Sequence, residues 1–277
     1  MMLEIAAPSF VEVEGRRLAY DEVSPASPRG VVLLLTGLGS KRLGWYRQLP
    51  VFGQTYRTIA LDNRDVGDSD LATGPYTTAD QADDAAGVLR ALGIAQAHVI
   101  GISMGGFIAQ ELAARHPALV RKLVLTSTSA GGPTHVAPGP EMLALLVQQR
   151  EGVERGELAR STYTRIMAPG YLDAHPDDAE HIMESARYKP QPAEAYMRQL
   201  QSAQGHNMSD PDRLSQLRVP TLVVHGDMDP LVPTANGLYL ATHIPDARLR
   251  LYGGVGHIAI VERADEYNRD VLTFLAA

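Results

Sequence analysis

Ala97-His98-Val99-Ile100, then Gly101-Ile102-Ser103-Met104-Gly105, then Gly106 to Arg115: this stretch decides how the rest of the chain is read. The first four residues are a short apolar run of strand character. Gly106-Phe107-Ile108-Ala109-Gln110-Glu111-Leu112-Ala113-Ala114-Arg115 reads as a helix. A serine on a sharp strand-to-helix turn is held in a strained backbone conformation that lifts its hydroxyl clear of the sheet. Small residues two before and two after it let strand and helix approach closely. The hydroxyl then faces the first backbone N–H groups of the helix, where negative charge is stabilised. An isolated match of this kind can be a plain Gly-rich turn, so its context has to carry the reading.

Upstream, Phe10 to Glu14 and Arg17 to Glu22 alternate on either side of Gly15 and predict an opening hairpin. Val31-Val32-Leu33-Leu34-Leu35 is solidly apolar, as expected of a strand buried on both faces. Arg57 to Leu61 is a second central strand, Ala79 to Leu92 a helix ending at Gly93, and Lys122 to Ser127 the strand after the serine. Strand and helix alternate from Val31 to Ser127, which predicts an α/β fold: a mostly parallel sheet with helices on both faces. Between about Gly131 and Leu217 the rhythm breaks. Helical stretches such as Glu141 to Arg150 and Pro192 to Gln204 replace it, after the Pro138-Gly139-Pro140 punctuation. It resumes with Thr221 to His225, Arg248 to Tyr252 and a last helix near Ala264 to Leu275. The expected division is a core over 1–130 and 218–277, with a helical cap over 131–217.

The 277 residues include 32 Asp and Glu against 25 Lys and Arg, a net charge of -7 that argues against nucleic-acid binding. Cys is absent, so there is no disulfide framework, thiolate metal site or cysteine nucleophile. Met1 to Phe10 lacks the pattern of a secretory signal, and no stretch approaches a membrane span. The expectation is a cytoplasmic protein with no membrane partner; oligomeric state is not addressed by the sequence.

Two further motifs each follow a strand. Gly226-Asp227-Met228-Asp229-Pro230 comes after Thr221 to His225, and Gly253-Gly254-Val255-Gly256-His257 after Arg248 to Tyr252. Ser103, either aspartate and His257 thus occur in the order serine, acid, histidine. All lie past the carboxyl ends of predicted parallel strands, where open α/β sheets place their sites.

With these motifs the chain resembles the α/β-hydrolase superfamily over nearly its full length. Asp62-Asn63-Arg64-Asp65-Val66-Gly67-Asp68-Ser69 is similar to the capped, cofactor-free serine esterase and lactonase branch, which includes polyketide methylesterases and 3-oxoadipate enol-lactonases. The resemblance implies a Ser103 nucleophile, a His257 base and Asp229 as the acid, with Asp227 the alternative or a turn residue. It implies an oxyanion hole from the backbone N–H groups of Leu38 and Met104. Thr36 stands where a His is usual in Leu35-Thr36-Gly37-Leu38-Gly39, which bears on how that loop is braced.

The implied activity is cleavage of a small or medium carboxylic ester or lactone through an acyl-serine, with no cofactor or metal. Perhydrolysis or haloperoxidase chemistry and C–C bond hydrolysis use the same triad and stay open, as does a slow or non-catalytic ligand sensor. Epoxide and haloalkane hydrolysis fit poorly, because those branches carry Asp where this chain has Ser103.

Trp45, Met142, Tyr163 and Met167 are candidate pocket residues; helix packing is the alternative for each. Lys41 and Arg42 either attract a substrate carboxylate or are solvated. Asp62 and Arg64 read as a structural ion pair or turn. His225 is expected at a strand end, satisfied by backbone, and no histidine has a partner at metal spacing.

Overall fold

Leu33 and Leu35 pack into one hydrophobic cluster; Val32 and Leu34, between them in sequence, pack into another. The same two-way split divides Val99 from Ile100, and Leu123 and Leu125 from Val124. Successive strand side chains point to opposite faces, so a strand covered on both sides must be apolar throughout. This is why the central strands carry solid runs rather than alternation.

The computed structural model describes residues 5–148 and 152–277. Its strands are β1 (Ser9–Val13), β2 (Arg16–Val23), β3 (Val31–Leu35), β4 (Arg57–Leu61), β5 (Ala97–Ile102), β6 (Val120–Thr126), β7 (Thr221–Gly226) and β8 (Arg248–Tyr252). They form one sheet in the order β1-β2-β4-β3-β5-β6-β7-β8. β1 pairs antiparallel with β2 and β2 antiparallel with β4; every later pairing is parallel. The hairpin therefore sits at one edge, and the loops carrying Ser103, Asp229 and His257 follow parallel strands.

Helices α1 (Leu49–Phe52), α2 (Thr78–Ala91) and α3 (Met104–Arg115) belong to the first half of the chain. α2 opens on a capping box, with the Thr77 hydroxyl accepting from Asp80 N–H and the Asp80 carboxylate accepting from Thr77 N–H. Between β6 and β7 come α4 (Pro140–Leu146), α5 (Arg155–Ile166), α6 (Tyr171–Ala174), α7 (Pro176–Arg187), α8 (Ala193–Gln204) and α9 (Pro211–Ser215). No strand interrupts them among the described residues. The helix expected over Glu141 to Arg150 runs through Leu146; residues 149 and 150 lie outside the described residues. Helices α10 (Ala235–His243), α11 (Ala259–Glu262) and α12 (Ala264–Ala276) complete the chain.

α2, α3 and α10 pack into the cluster holding Leu33; α12 packs into the one holding Val32. The helical segment leaves and rejoins the core at one point. Gly131 bridges Asn207, and Met208 N–H donates to Ala130 C=O at 2.7 Å. From there Met208, Leu214 and Leu217 pack into the same cluster as α3.

Candidate active site

Ser103 stands between β5 and α3 with φ 54° and ψ −122°. A positive φ costs a non-glycine residue on the order of 1–3 kcal/mol and persists only where the surroundings dictate it. Here Ser103 N–H donates to Thr126 C=O at 2.9 Å. Its own C=O accepts from Gly106 N–H and from the Thr128 hydroxyl, both at 2.8 Å. The surrounding glycines are a packing requirement. A Cβ on Gly101 would collide with the Gly105 backbone, one on Gly105 with the Leu35 carbonyl, and one on Gly106 with the Thr128 side chain at 2.6 Å.

His257 and Asp229 come from the loops after β8 and β7. The buried His257 ring meets Asp229 Oδ2 through Nδ1 at 2.8 Å. Asp229 Oδ1 accepts from Leu231 N–H at 2.9 Å and Val232 N–H at 2.8 Å. One carboxylate oxygen thus fixes the turn and the other faces the imidazole. Burial pushes the Asp229 carboxyl up, but His257 and His225 outweigh it and bring it down to about 2. Asp227 is exposed and accepts from Gly254 N–H at 2.7 Å, so it braces the start of the histidine loop rather than its own turn.

His225 is more than a strand-end residue satisfied by backbone. Its Nε2 lies 2.8 Å from Val232 C=O, to which it donates, and 3.4 Å from Asp229 Oδ2. Glu262 is the residue that sequence reasoning missed. Its Oε2 accepts from Gly256 N–H at 2.9 Å and Ala168 N–H at 2.7 Å; its Oε1 accepts from Ile258 N–H at 3.0 Å. Glu262 therefore clasps the backbone on both sides of His257. Burial pushes its carboxyl up, and the three N–H donors push back. His257 N–H itself donates to Ile166 C=O at 2.7 Å, at the end of α5.

The loop after β3 is braced without histidine. Thr36 Oγ1 donates to Ser40 C=O at 3.0 Å, and Asn63 Nδ2 approaches Thr36 O and Oγ1 at 3.3 Å. Gln199 on α8 reaches across, its Oε1 accepting from Gly39 N–H at 3.0 Å. The N–H groups of Leu38 and Met104 find no acceptor among the described residues.

Ser103, His257 and Leu38 line one cavity of about 210 Å³, below the roughly 300–1,000 Å³ usual for larger ligands. Trp45 and Tyr163 also line it. Met142 and Met167 do not; they pack in the hydrophobic cluster that also holds Val32 and Leu34. Lys41 and Arg42 are not solvated: both are buried. Lys41 lines the cavity. Arg42 does not; it bonds Asp21 at 2.8 Å, Asp62 at 2.6 Å and Asp68 at 3.0 Å. Asp62 and Arg64 do not pair with each other either, because Arg64 bonds Asp84 at 2.6 Å. Among the described residues, no group of three or more His, Asp or Glu is placed to hold a metal ion, and no helix is long and apolar enough to cross a membrane.

An elbow serine, a histidine paired with a buried carboxylate and a shared cavity define a hydrolase of the α/β class. The chain belongs to the family described as alpha/beta hydrolase fold, whose model matches residues 30–158 and 174–264. It is 32% identical to a 2-hydroxy-6-oxononadienedioate/2-hydroxy-6-oxononatrienedioate hydrolase of Burkholderia vietnamiensis, over 98% of this chain and 96% of that one. It is 34% identical to the 2-hydroxymuconate semialdehyde hydrolase of Pseudomonas putida, over 91% and 84% respectively. Among solved structures, the enol-lactonase from Burkholderia xenovorans superposes with a TM-score of 0.83 at 25% identity, covering 97% of this chain and all of that one.

Proposed function

We propose that the protein hydrolyses a small or medium carboxylic ester or lactone through an acyl-serine. The observation that carries this is the 2.8 Å contact of His257 Nδ1 with Asp229 Oδ2, in a ring that opens with Ser103 on one cavity. Asp229 holds the tautomer that leaves His257 Nε2 free to accept a proton. Ser103 Oγ attacks the carbonyl and gives its proton to that nitrogen. The N–H groups of Leu38 and Met104 take the oxyanion. Collapse expels the alkoxide, which His257 protonates. Water, deprotonated by His257, then cleaves the acyl-serine and releases the acid. Helices α4, α5, α7 and α8 line the cavity and select the substrate in this scheme, and no cofactor or metal enters it.

The test is a burst assay with p-nitrophenyl esters. Wild-type protein should release a burst near one equivalent of p-nitrophenolate, and Ser103→Ala should show neither burst nor triad-dependent turnover. Unchanged turnover in Ser103→Ala would sink the mechanism.

A second reading, C–C bond hydrolysis, is favoured by the relatives named 2-hydroxy-6-oxononadienedioate and 2-hydroxymuconate semialdehyde hydrolases. There the group leaving the carbonyl is a carbon, which must be protonated. Incubation with 2-hydroxy-6-oxo-6-phenylhexa-2,4-dienoate, the compound in another relative's name, distinguishes the two. Release of benzoate at a higher kcat/KM than any simple ester or lactone would favour the C–C reading.

A further inference from the structure

The chain has more acidic than basic residues, yet no Asp or Glu is among the described residues lining the cavity of Ser103 and His257. Two cations are: Lys41 and Arg155. Lys41 is only 5% exposed. An ammonium has three donors. One meets Ser185 C=O at 2.9 Å, and the other two have no acceptor among the described residues. The nearby carboxylates Asp62 and Asp68 act on Lys41 through space, but both are bonded to Arg42. Arg155 is close enough to Lys41 to oppose its charge. It is also the first residue of α5, the helix end where a cation is disfavoured by the backbone dipole. No carboxylate of the described residues forms an ion pair with it.

Two like charges share one cavity wall, Lys41 buried with unengaged donors and Arg155 half-buried beside it, and an anion between them relieves both the repulsion and the unmet donors. We propose that Lys41 and Arg155 form an anion subsite and that the substrate carries a carboxylate remote from its scissile carbonyl. Lys41 lies three residues along the same loop from Leu38, so one loop serves both ends of the substrate: its backbone faces the carbonyl and its side chain the carboxylate. The inference rests on the serine-hydrolase reading for where the carbonyl sits. The apolar remainder of the wall, including Leu145, Leu158 and Ile260, fits the carbon chain between the two ends.

The experiment compares mono-p-nitrophenyl glutarate with p-nitrophenyl valerate, which has the same chain length but no charge. Wild-type protein should favour the glutarate. Lys41→Met should lower the ratio of the two kcat/KM values about tenfold or more, the value of one charge-assisted bond, and Arg155→Gln should lower it in the same direction. A second readout needs no turnover: calorimetric titration of the Ser103→Ala protein with monomethyl glutarate. Adding Lys41→Met should weaken that binding by a similar factor. A ratio unchanged by Lys41→Met, or binding indifferent to it, would overturn the subsite. If neither ester is cleaved but binding still depends on Lys41, the hydrolase reading fails and the subsite stands.

Discussion

Replacing Glu262 tests whether the histidine loop is held from beneath by a single side chain. Glu262→Ala strands three N–H donors at once: Gly256 and Ala168 from Oε2, Ile258 from Oε1. A buried donor left without an acceptor costs about 1–3 kcal/mol. Three stranded donors bound the loss at roughly 3–9 kcal/mol, and water entering the vacated space brings it toward the lower end, about 3 kcal/mol. Glu262→Gln is the informative comparison. Its carbonyl oxygen can keep the Gly256 and Ala168 bonds, while its amide nitrogen then faces the Ile258 N–H, so its loss is nearer 1–3 kcal/mol. Urea denaturation should rank wild type above Gln above Ala. Pre-steady-state kinetics should show acylation slowing in the same order, because the loop that carries His257 loses its fixed position. Refutation is straightforward: an Ala variant within about 0.5 kcal/mol of wild type and with unchanged acylation, or a Gln variant less stable than Ala.

Gly105→Ala should lose at least about 2 kcal/mol of stability by thermal melting, since the new Cβ meets the Leu35 carbonyl; Gly44→Ala, with open space at its Cβ, is the matched control. Asp229→Asn should cut kcat by roughly 10⁴-fold while leaving the fold intact by circular dichroism. Because the Asp229 carboxyl is depressed to about 2, its stabilisation, about 2 kcal/mol, is fully present above the ordinary value near 4 and is lost as pH falls through 2. Acid titration of wild type against Asp229→Asn should therefore converge below pH 4. Burial lowers the Lys41 ammonium to about 8, with Asp62 and Asp68 raising it and Arg155 and Arg42 lowering it. KM for mono-p-nitrophenyl glutarate should accordingly rise between pH 7 and 9, while p-nitrophenyl valerate shows no matching step; a parallel rise for both esters would count against the assignment.

Several features of the fold were readable because a residue type has only one way to be satisfied. Val31 to Leu35 has no polar face and so must be covered twice. Gly101 and Gly105 flank a serine so closely that a strand-to-helix turn is the economical reading, and backbone collisions explain them. The order of strands was not readable: nothing in Arg57 to Leu61 says that it lies between β2 and β3. Whether Lys41 and Arg42 face a substrate carboxylate or solvent was not readable, because the burial of Arg42 depends on Asp21, Asp62 and Asp68, as much as 26 residues away. Glu262 gave no signal at all. Its partners are backbone N–H groups, which leave no trace in residue type, and it sits in a four-residue helix without a motif. Trp45 and Tyr163 could not be told from Met142 and Met167, because whether an apolar side chain faces a cavity or the core is set by the elements packed around it rather than by composition.

The bonds between α5 and the histidine loop, and between Gln199 and Gly39, have a consequence for how such a protein can change. The helices that shape the cavity also hold two of the loops that line it: Ile166 and Ala168 at one side, Gln199 at the other. Pocket shape and loop position are therefore inherited together. Transplanting the helical segment of a relative would bring in a new cavity and, unless those three contacts came with it, release both loops. Substitutions that leave those three contacts in place are the ones free to retune the cavity, and Lys41 and Arg155 are among the positions where that freedom lies.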